Sequence, residues 1–180
     1  MPKTQILFIS VFTLCTVFFL ATTPAHSESF SAAMHLATAE GDGKAVGTVT
    51  FTDNAQGILI TTNLQGLPPG EHGFHVHANA SCAPTAQDGK VIPAGAAGGH
   101  YDPTNSGKHL GPGASGHKGD LPLLMVGQDG TAKVNLSLKG VKAAEFKNHA
   151  LMIHAGGDNY SDSPAPLGGG GSRLACGVIK

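Results

Sequence analysis

Charge is scarce in this chain and leans neither way. Charged residues make up 13% of its 180 positions, against roughly a quarter in an ordinary soluble protein. A formal charge of −1 supplies neither the basic footprint that nucleic acid requires nor a polybasic patch for acidic lipid, so neither partner is expected. There is no length for two full domains. Disorder is excluded as well, because the hydrophobic share of 41% is too high and the net charge too small. Past the N-terminus no apolar run could cross a bilayer. Arginine is almost missing, with Arg173 alone, and cysteine is limited to three. What is plentiful is Gly (26), Pro (11) and His (10), and histidines as numerous as lysines are the first sign of chemistry.

The N-terminus bears on compartment before fold. Residues 1–5 carry one Lys, and residues 6–21 are apolar apart from Ser10, Thr13, Cys15 and Thr16. Pro24-Ala25-His26-Ser27 then offers small residues for cleavage, so residues 1–27 read as a cleaved secretory signal peptide. A retained anchor is the poorer reading, since the apolar stretch falls short of a span of about 20 residues. Residues 28–180 are then one mature domain. Its two cysteines, Cys82 and Cys176, are an even number in an exported protein, where a disulfide persists, and are expected to pair.

Period-two alternation runs through the mature chain. In residues 131–138, Ala132, Val134, Leu136 and Leu138 share one face and Thr131, Lys133, Asn135 and Ser137 the other, which is how a half-buried strand is written. Residues 34–40, 45–52 and 56–64 alternate similarly, with Gly41-Asp42-Gly43, Asp53-Asn54 and Gln128-Asp129-Gly130 as hairpin connections. Residues 73–77, 121–126, 150–155 and 175–179 predict four more strands, and only residues 141–147 have helical character. The expected fold class is all-β, an antiparallel Greek-key sandwich or barrel. Two Gly/Pro-rich tracts, 78–119 and 156–172, lack periodicity, and loops of that length are functional or disordered.

Histidine placement decides between those. His75 and His77 lie two apart in GFHVH, which on a strand puts both imidazoles on one face with Cα atoms about 6.6 Å apart. Alone, the pair is as readily explained by satisfied or surface histidines. But GGHYDP adds His100, KHLGP adds His109, GHKGD adds His117 with Asp120, and ALMIH ends in His154. Six imidazoles and one carboxylate make seven side chains, whereas two four-coordinate ions take eight donors. The set closes if one imidazole is shared, and His100 is central in the order. Imidazole-only planar ligation suits Cu(II), and three His with a carboxylate in tetrahedral geometry suit Zn. Counting leaves the sharing open, because His72 and His149 stand outside the set. For these two, and for His26 and His35, loop, core or leader roles are expected.

Taken in order, GFHVH, GGHYDP, KHLGP, GHKGDLP, HAGGDN and GGGGSRLACGVIK resemble the copper/zinc superoxide dismutases over most of the mature chain. The leader and the HAGGDNYSD wording are similar to their bacterial periplasmic branch. This resemblance implies a sandwich or barrel with long metal-binding and active-site loops, copper and zinc as cofactors, and dismutation of superoxide to dioxygen and hydrogen peroxide. Copper is implied on His75, His77, His100 and His154, and zinc on His100, His109, His117 and Asp120. The deprotonated His100 ring would lie between the metals and carry a proton during the cycle. Asp158 is implied as the carboxylate that accepts hydrogen bonds from His75 and His109, and Arg173 as the cation guiding the anion.

Superoxide is the implied partner, the periplasm the implied location, and a homodimer one implied assembly. The loops depart from the eukaryotic pattern: His77 to Cys82 is short, Cys82 to His100 is long, and residues 155–172 hold Asp158 and Asp162 but no Lys or Glu. Loop-borne steering lysines are therefore missing, with Lys90, Lys108 and Lys118 as candidate replacements. The same changes leave the oligomeric state open. Residues 168–172 have a linker's composition but, just before Arg173, read as a tight loop.

Other classes share parts of this pattern. A cupin also carries HxH on a strand, yet it needs a glutamate, and none occurs between Glu71 and Glu145. A periplasmic copper or zinc storage protein would use the same ligands without turnover, and Arg173 and a shared His100 speak against it. A degenerate interaction module would normally have lost a ligand, and none is lost.

Overall fold

The computed structural model describes Met1 and residues 27–180, so the expected leader lies outside the described residues. Alternation in the sequence becomes a curled antiparallel sheet. β1 (Ser29–Thr38), β2 (Gly41–Asp53) and β3 (Gly57–Gln65) form a meander. β12 (Arg173–Val178), β11 (Ala150–His154) and β5 (Phe74–His77) extend it beyond β1, while β10 (Asn135–Lys139) and β9 (Thr131–Ala132) pair with β3. Two small pairs stand apart: β4 (Gly70–His72) with β8 (Leu124–Val126), and β6 (Thr85–Gln87) with β7 (Lys90–Ile92).

Every second residue of the meander faces inward, as Phe30, Ala32 and Met34 do on β1 and Ile58, Ile60, Thr62 and Leu64 on β3. Phe51 and Phe146 meet edge to face at 5.9 Å in the middle of this core. Each such large apolar side chain contributes roughly 1.5–3 kcal/mol by leaving water.

The first strand begins earlier than expected, at Ser29, the 121–126 strand shortens to Leu124–Val126, and β4 is not among the expected strands; four further differences have local reasons. The β1–β2 turn falls on Ala39-Glu40 rather than on Gly41-Asp42-Gly43, because Thr38 Oγ1 donates to Gly41 O and accepts from Glu40 N, closing a tighter turn. Residues 131–138 split into β9 and β10 where Thr62 Oγ1 replaces a ladder partner, donating to Ala132 O at 2.8 Å and accepting from Val134 N at 3.1 Å. The helical stretch shrinks to one 3-10 turn, Ala143–Phe146, started by Glu145, which accepts from Lys142 N at 2.8 Å. Residues 78–119 are not structureless, since they contain the β6–β7 hairpin and a 3-10 turn at Gly95–Ala97.

β5 and β11 are buried on both faces, and this makes the site possible. Phe74, Val76, Leu151 and Ile153 point into the core. His75 and His77, with Met152 and Ala150 opposite them, occupy the other face beneath the long loops. The outer edge of β5 would be an unpaired strand edge, and the first loop covers it. Val76 N donates to Gly119 O and Tyr101 N donates to Val76 O, both at 2.8 Å, which sets His100 opposite His77 and Asp120 opposite His75. Only glycine fits at 119, since a Cβ there would lie 2.2 Å from Val76 O.

Cys82 and Cys176 are disulfide-bonded. The bond sits on a second small core of Ala94, Ala97, Ala150 and Met152, so it pins the loop to β11 and β12. It closes a loop with a sequence separation of 94, for which chain entropy gives on the order of 4.7 kcal/mol. Urea denaturation of a Cys82→Ser/Cys176→Ser variant should show a loss of several kcal/mol. A midpoint equal to that of the parent would contradict this role.

Candidate metal centre

Two clusters of donor atoms share residues at the base of the loops. Ligand atoms of His75, His77, His100 and His154 lie within 4.8 Å of one another, and so do those of His75, His100, His109 and Asp120. His117 flanks the second group, its Nδ1 3.6 Å from Asp120 Oδ1. All seven side chains expected to hold metal are therefore brought together, and all are buried. β5 supplies His75 and His77, the end of β11 supplies His154, and the loop laid along β5 supplies the rest.

Outer hydrogen bonds turn one nitrogen of four of the rings away from the clusters. His75 Nε2 donates to Asp158 Oδ2 at 2.7 Å, and His109 Nε2 donates to Asp158 Oδ1 at 2.8 Å. His77 Nδ1 donates to Gly98 O at 2.8 Å, and His154 Nδ1 to Gly171 O at 3.3 Å. Each of these four rings then presents a bare lone pair inward. His77 Nε2 and His154 Nε2 face each other at 3.4 Å. His100 is different: it belongs to both clusters, its Nδ1 lies 3.0 Å from Asp120 Oδ1 and its Nε2 has no hydrogen-bond partner, so neither nitrogen is held by an outer acceptor.

The unpartnered atoms test whether metals fit. Among the described residues, the buried side-chain atoms without a hydrogen bond are His75 Nδ1, His100 Nε2, His109 Nδ1, His117 Nδ1 and Asp120 Oδ2. Every one belongs to a candidate ligand. Leaving such an atom unsatisfied costs about 1–3 kcal/mol, so five together call for a species that takes lone pairs. A cation does.

Electrostatics keep His77, His100 and His154 neutral. Burial, then the crowd of neighbouring His75, His154, His109 and His117, drives His100 far below its ordinary value. Burial and His100 likewise hold His77 well down, and burial with His75 brings His154 to about 4. Burial raises Asp120 despite the histidines around it. Asp158 is also pushed up by burial, but the bonds it accepts from His75, His109 and Tyr160 N outweigh that and leave it well below the usual carboxylate range. Neutral rings and an ionised outer carboxylate are the states that metal ligation needs.

Arg173 lies half-buried nearby, Nη1 donating to Ala94 O at 2.5 Å and Nη2 to Gly98 O at 2.6 Å. Among the described residues it pairs with no carboxylate. Its charge lowers the basicity of both His77 and His154. Lys118, by contrast, is paired with Glu145, which removes it as a free steering charge, and Lys90 lies on the β6–β7 hairpin.

The histidines expected outside the clusters are found outside them, apart from His26, which is not among the described residues. His72 is buried, its nitrogens 2.7 Å from His154 O and 2.8 Å from Pro68 O. His149 Nδ1 donates to Ala78 O at 2.7 Å, and its ring centroid lies 4.1 Å from that of Tyr101. Sequence reasoning missed Asp162, which accepts from His109 N at 2.9 Å, and the carbonyls of Ala94 and Gly98. Backbone acceptors carry no side-chain signature, whereas Asp162 could have been found as one of only two acids in its loop.

The comparisons agree with this geometry. The family model described as copper/zinc superoxide dismutase (SODC) matches residues 45–179. The chain is 53% identical over 168 residues to superoxide dismutase [Cu-Zn] 2 of Salmonella typhimurium, covering 93% of this chain and 97% of that one. Among solved structures, the Cu/Zn superoxide dismutase from Brucella abortus superposes with a TM-score of 0.83 at 52% identity, over 85% of this chain and 100% of that one. The monomeric copper, zinc superoxide dismutase from Salmonella enterica gives 0.76 at 54% identity, with coverage of 85% and 100%.

The depressed histidines make the metal-free fold acid-sensitive. Between about pH 6.5 and pH 4 the unfolded chain binds protons at His77, His100 and His154 that the folded chain refuses, so stability rises with pH across that window. Asp120, raised by burial, opposes this near the acidic end. Urea denaturation of metal-free protein should therefore show stability falling on acidification from pH 6.5. Constant or rising stability toward pH 4 would contradict it.

Proposed function

The chain belongs to the copper/zinc superoxide dismutase family, and on that premise we propose that His75, His77, His100 and His154 hold copper, that His100, His109, His117 and Asp120 hold zinc, and that the His100 ring bridges them. Its activity is the dismutation of superoxide, and its metals are copper and zinc. The single observation that carries the residue assignment is His100, which belongs to both clusters with neither nitrogen held by an outer acceptor. Asp158 supports it, because one carboxylate sets the tautomer of His75 on one side and of His109 on the other.

When bound, copper supplies the one-electron chemistry by which two superoxide anions and two protons become one dioxygen and one hydrogen peroxide, and zinc supplies charge without redox change. The chain's own residues do the rest. Arg173, a fixed cation beside His77 and His154, draws the anion in and orients it, with steering effects of roughly 10 to 10³ in on-rate. His100 holds and releases a proton at Nε2, its buried nitrogen without a hydrogen-bond partner. The neutral rings of His77 and His154 bring no positive charge that competes with the guanidinium for the anion.

Residues 1–27 are taken as the cleaved leader and residues 28–180 as the single mature domain, located in the periplasm. Supporting this are bacterial relatives along nearly the whole chain and a disulfide that persists in an oxidising compartment. Sedimentation of the mature domain distinguishes a homodimer from the monomeric state of the Salmonella enterica protein.

Metal analysis with copper spectroscopy checks the ligands: His100→Ala should disturb both metals and His149→Ala neither, and the reverse would sink the assignment. Stopped-flow decay of superoxide checks the guide. Arg173→Ala should slow dismutation roughly tenfold, Arg173→Glu further, and Arg173→Lys least, at unchanged metal content. Equal rates for the parent and Arg173→Glu would remove the steering role.

A further inference from the structure

The guiding cation is held by a 3-10 turn whose own bonds, Ala97 N to Ala94 O and Gly98 N to Gly95 O, both 3.1 Å, leave its two ends in costly backbone conformations. Ala94 O takes Arg173 Nη1, and Gly98 O takes both Arg173 Nη2 and the ring N–H of His77. These carbonyls flank the one-turn 3-10 helix Gly95–Ala97. Ala94 lies in the left-handed region at φ 52° and ψ 23°, and Gly98 at φ 77° and ψ −154°, where only glycine is at ease. Contacts from its surroundings add to the two internal bonds and to the burial of Ala94 and Ala97.

Asn79, two residues after His77, adds such contacts from the opposite side. Its backbone N–H donates to Ala97 O at 2.9 Å, and its side-chain Nδ2 donates to Ala96 O at 2.9 Å. The amide also lies against Gly98, where an added Cβ would come within 3.0 Å of Nδ2. Further ties are Ala96 N to Ala83 O at 3.0 Å, from beside the disulfide, and Ala78 N to Gly99 O at 2.9 Å, just past the turn. Asn79 is itself exposed, so it belongs to no core and its side chain can be trimmed without opening one.

Building on the reading of Arg173 as the guiding cation, we propose that Asn79 is a positioning residue for dismutation, its side-chain amide fixing the 94–98 turn so that the Ala94 and Gly98 carbonyls aim the Arg173 guanidinium at the approaching anion. Asn79 touches neither metal nor substrate and acts only through the turn. A net hydrogen bond of this kind corresponds to a factor of about 3 to 10 in the equilibrium between the aimed and released arrangements, which bounds the loss of rate from above.

The experiment compares wild type, Asn79→Ala, Arg173→Ala and the double variant, all loaded with copper and zinc. Superoxide decay is followed at several ionic strengths, and azide affinity is read from the copper absorption band. Asn79→Ala should slow dismutation and weaken azide binding measurably, by up to about 10-fold, with a shallower salt dependence and unchanged metal content and Tm. The double variant should be no slower than Arg173→Ala, because the two residues act in series. If Asn79→Ala matches wild type while Arg173→Ala is slow, the role of Asn79 is overturned and that of Arg173 stands. Losses that multiply in the double variant, or a rate that falls in step with metal content or Tm, overturn it too. An Arg173→Ala variant as fast and as azide-avid as wild type overturns both.

Discussion

Five buried ligand atoms that no protein group satisfies are the constraint on which this structure turns. A folded chain normally pairs its buried polar atoms, and leaving one unpaired costs about 1–3 kcal/mol. Here the unpaired atoms converge on two shared clusters instead of being scattered. Asp158 fixes where His75 and His109 keep their protons, and Gly98 O and Gly171 O do the same for His77 and His154. The metals of the family complete what the chain leaves open, and metal binding is then coupled to the ordering of the loops.

That coupling runs through the edge of β5. A strand carrying two ligands, buried on both faces, needs a partner on its free side, and the metal-bearing loop provides it in two short segments around Tyr101 and Gly119. The same contacts set His100 opposite His77 and Asp120 opposite His75. The disulfide and its small alanine-rich core hold the first half of that loop, and Asp158 with Asp162 hold the second loop to His109. Barrel, disulfide and metal site are therefore one cooperative arrangement in which no ligand is held by its own element alone.

Much of this was legible in the sequence. Alternation announced the strands, because period-two burial leaves a direct trace in residue type, as in β3 and residues 131–138. The ligand set was legible because imidazole and carboxylate are rare enough in this chain to count, and the motif order pointed to the family. The disulfide followed from an even number of cysteines after the leader. Where strands end was less visible, since those ends rest on single side chains such as Thr38 and Thr62 acting on the backbone. The β6–β7 hairpin escaped notice because its residues are largely exposed and carry no apolar alternation. The carbonyls that seat Arg173 were invisible for a plainer reason: every residue has one.

The central claim is that the protein presets each ring for its metal, and nitrogen-15 NMR of the imidazoles in the metal-free protein tests it most directly. The proton is expected on Nε2 of His75 and His109 and on Nδ1 of His77 and His154, with the rings of His77 and His154 neutral at pH 7. A mixture of tautomers at those rings, or the opposite assignment at His75 and His109, would contradict it.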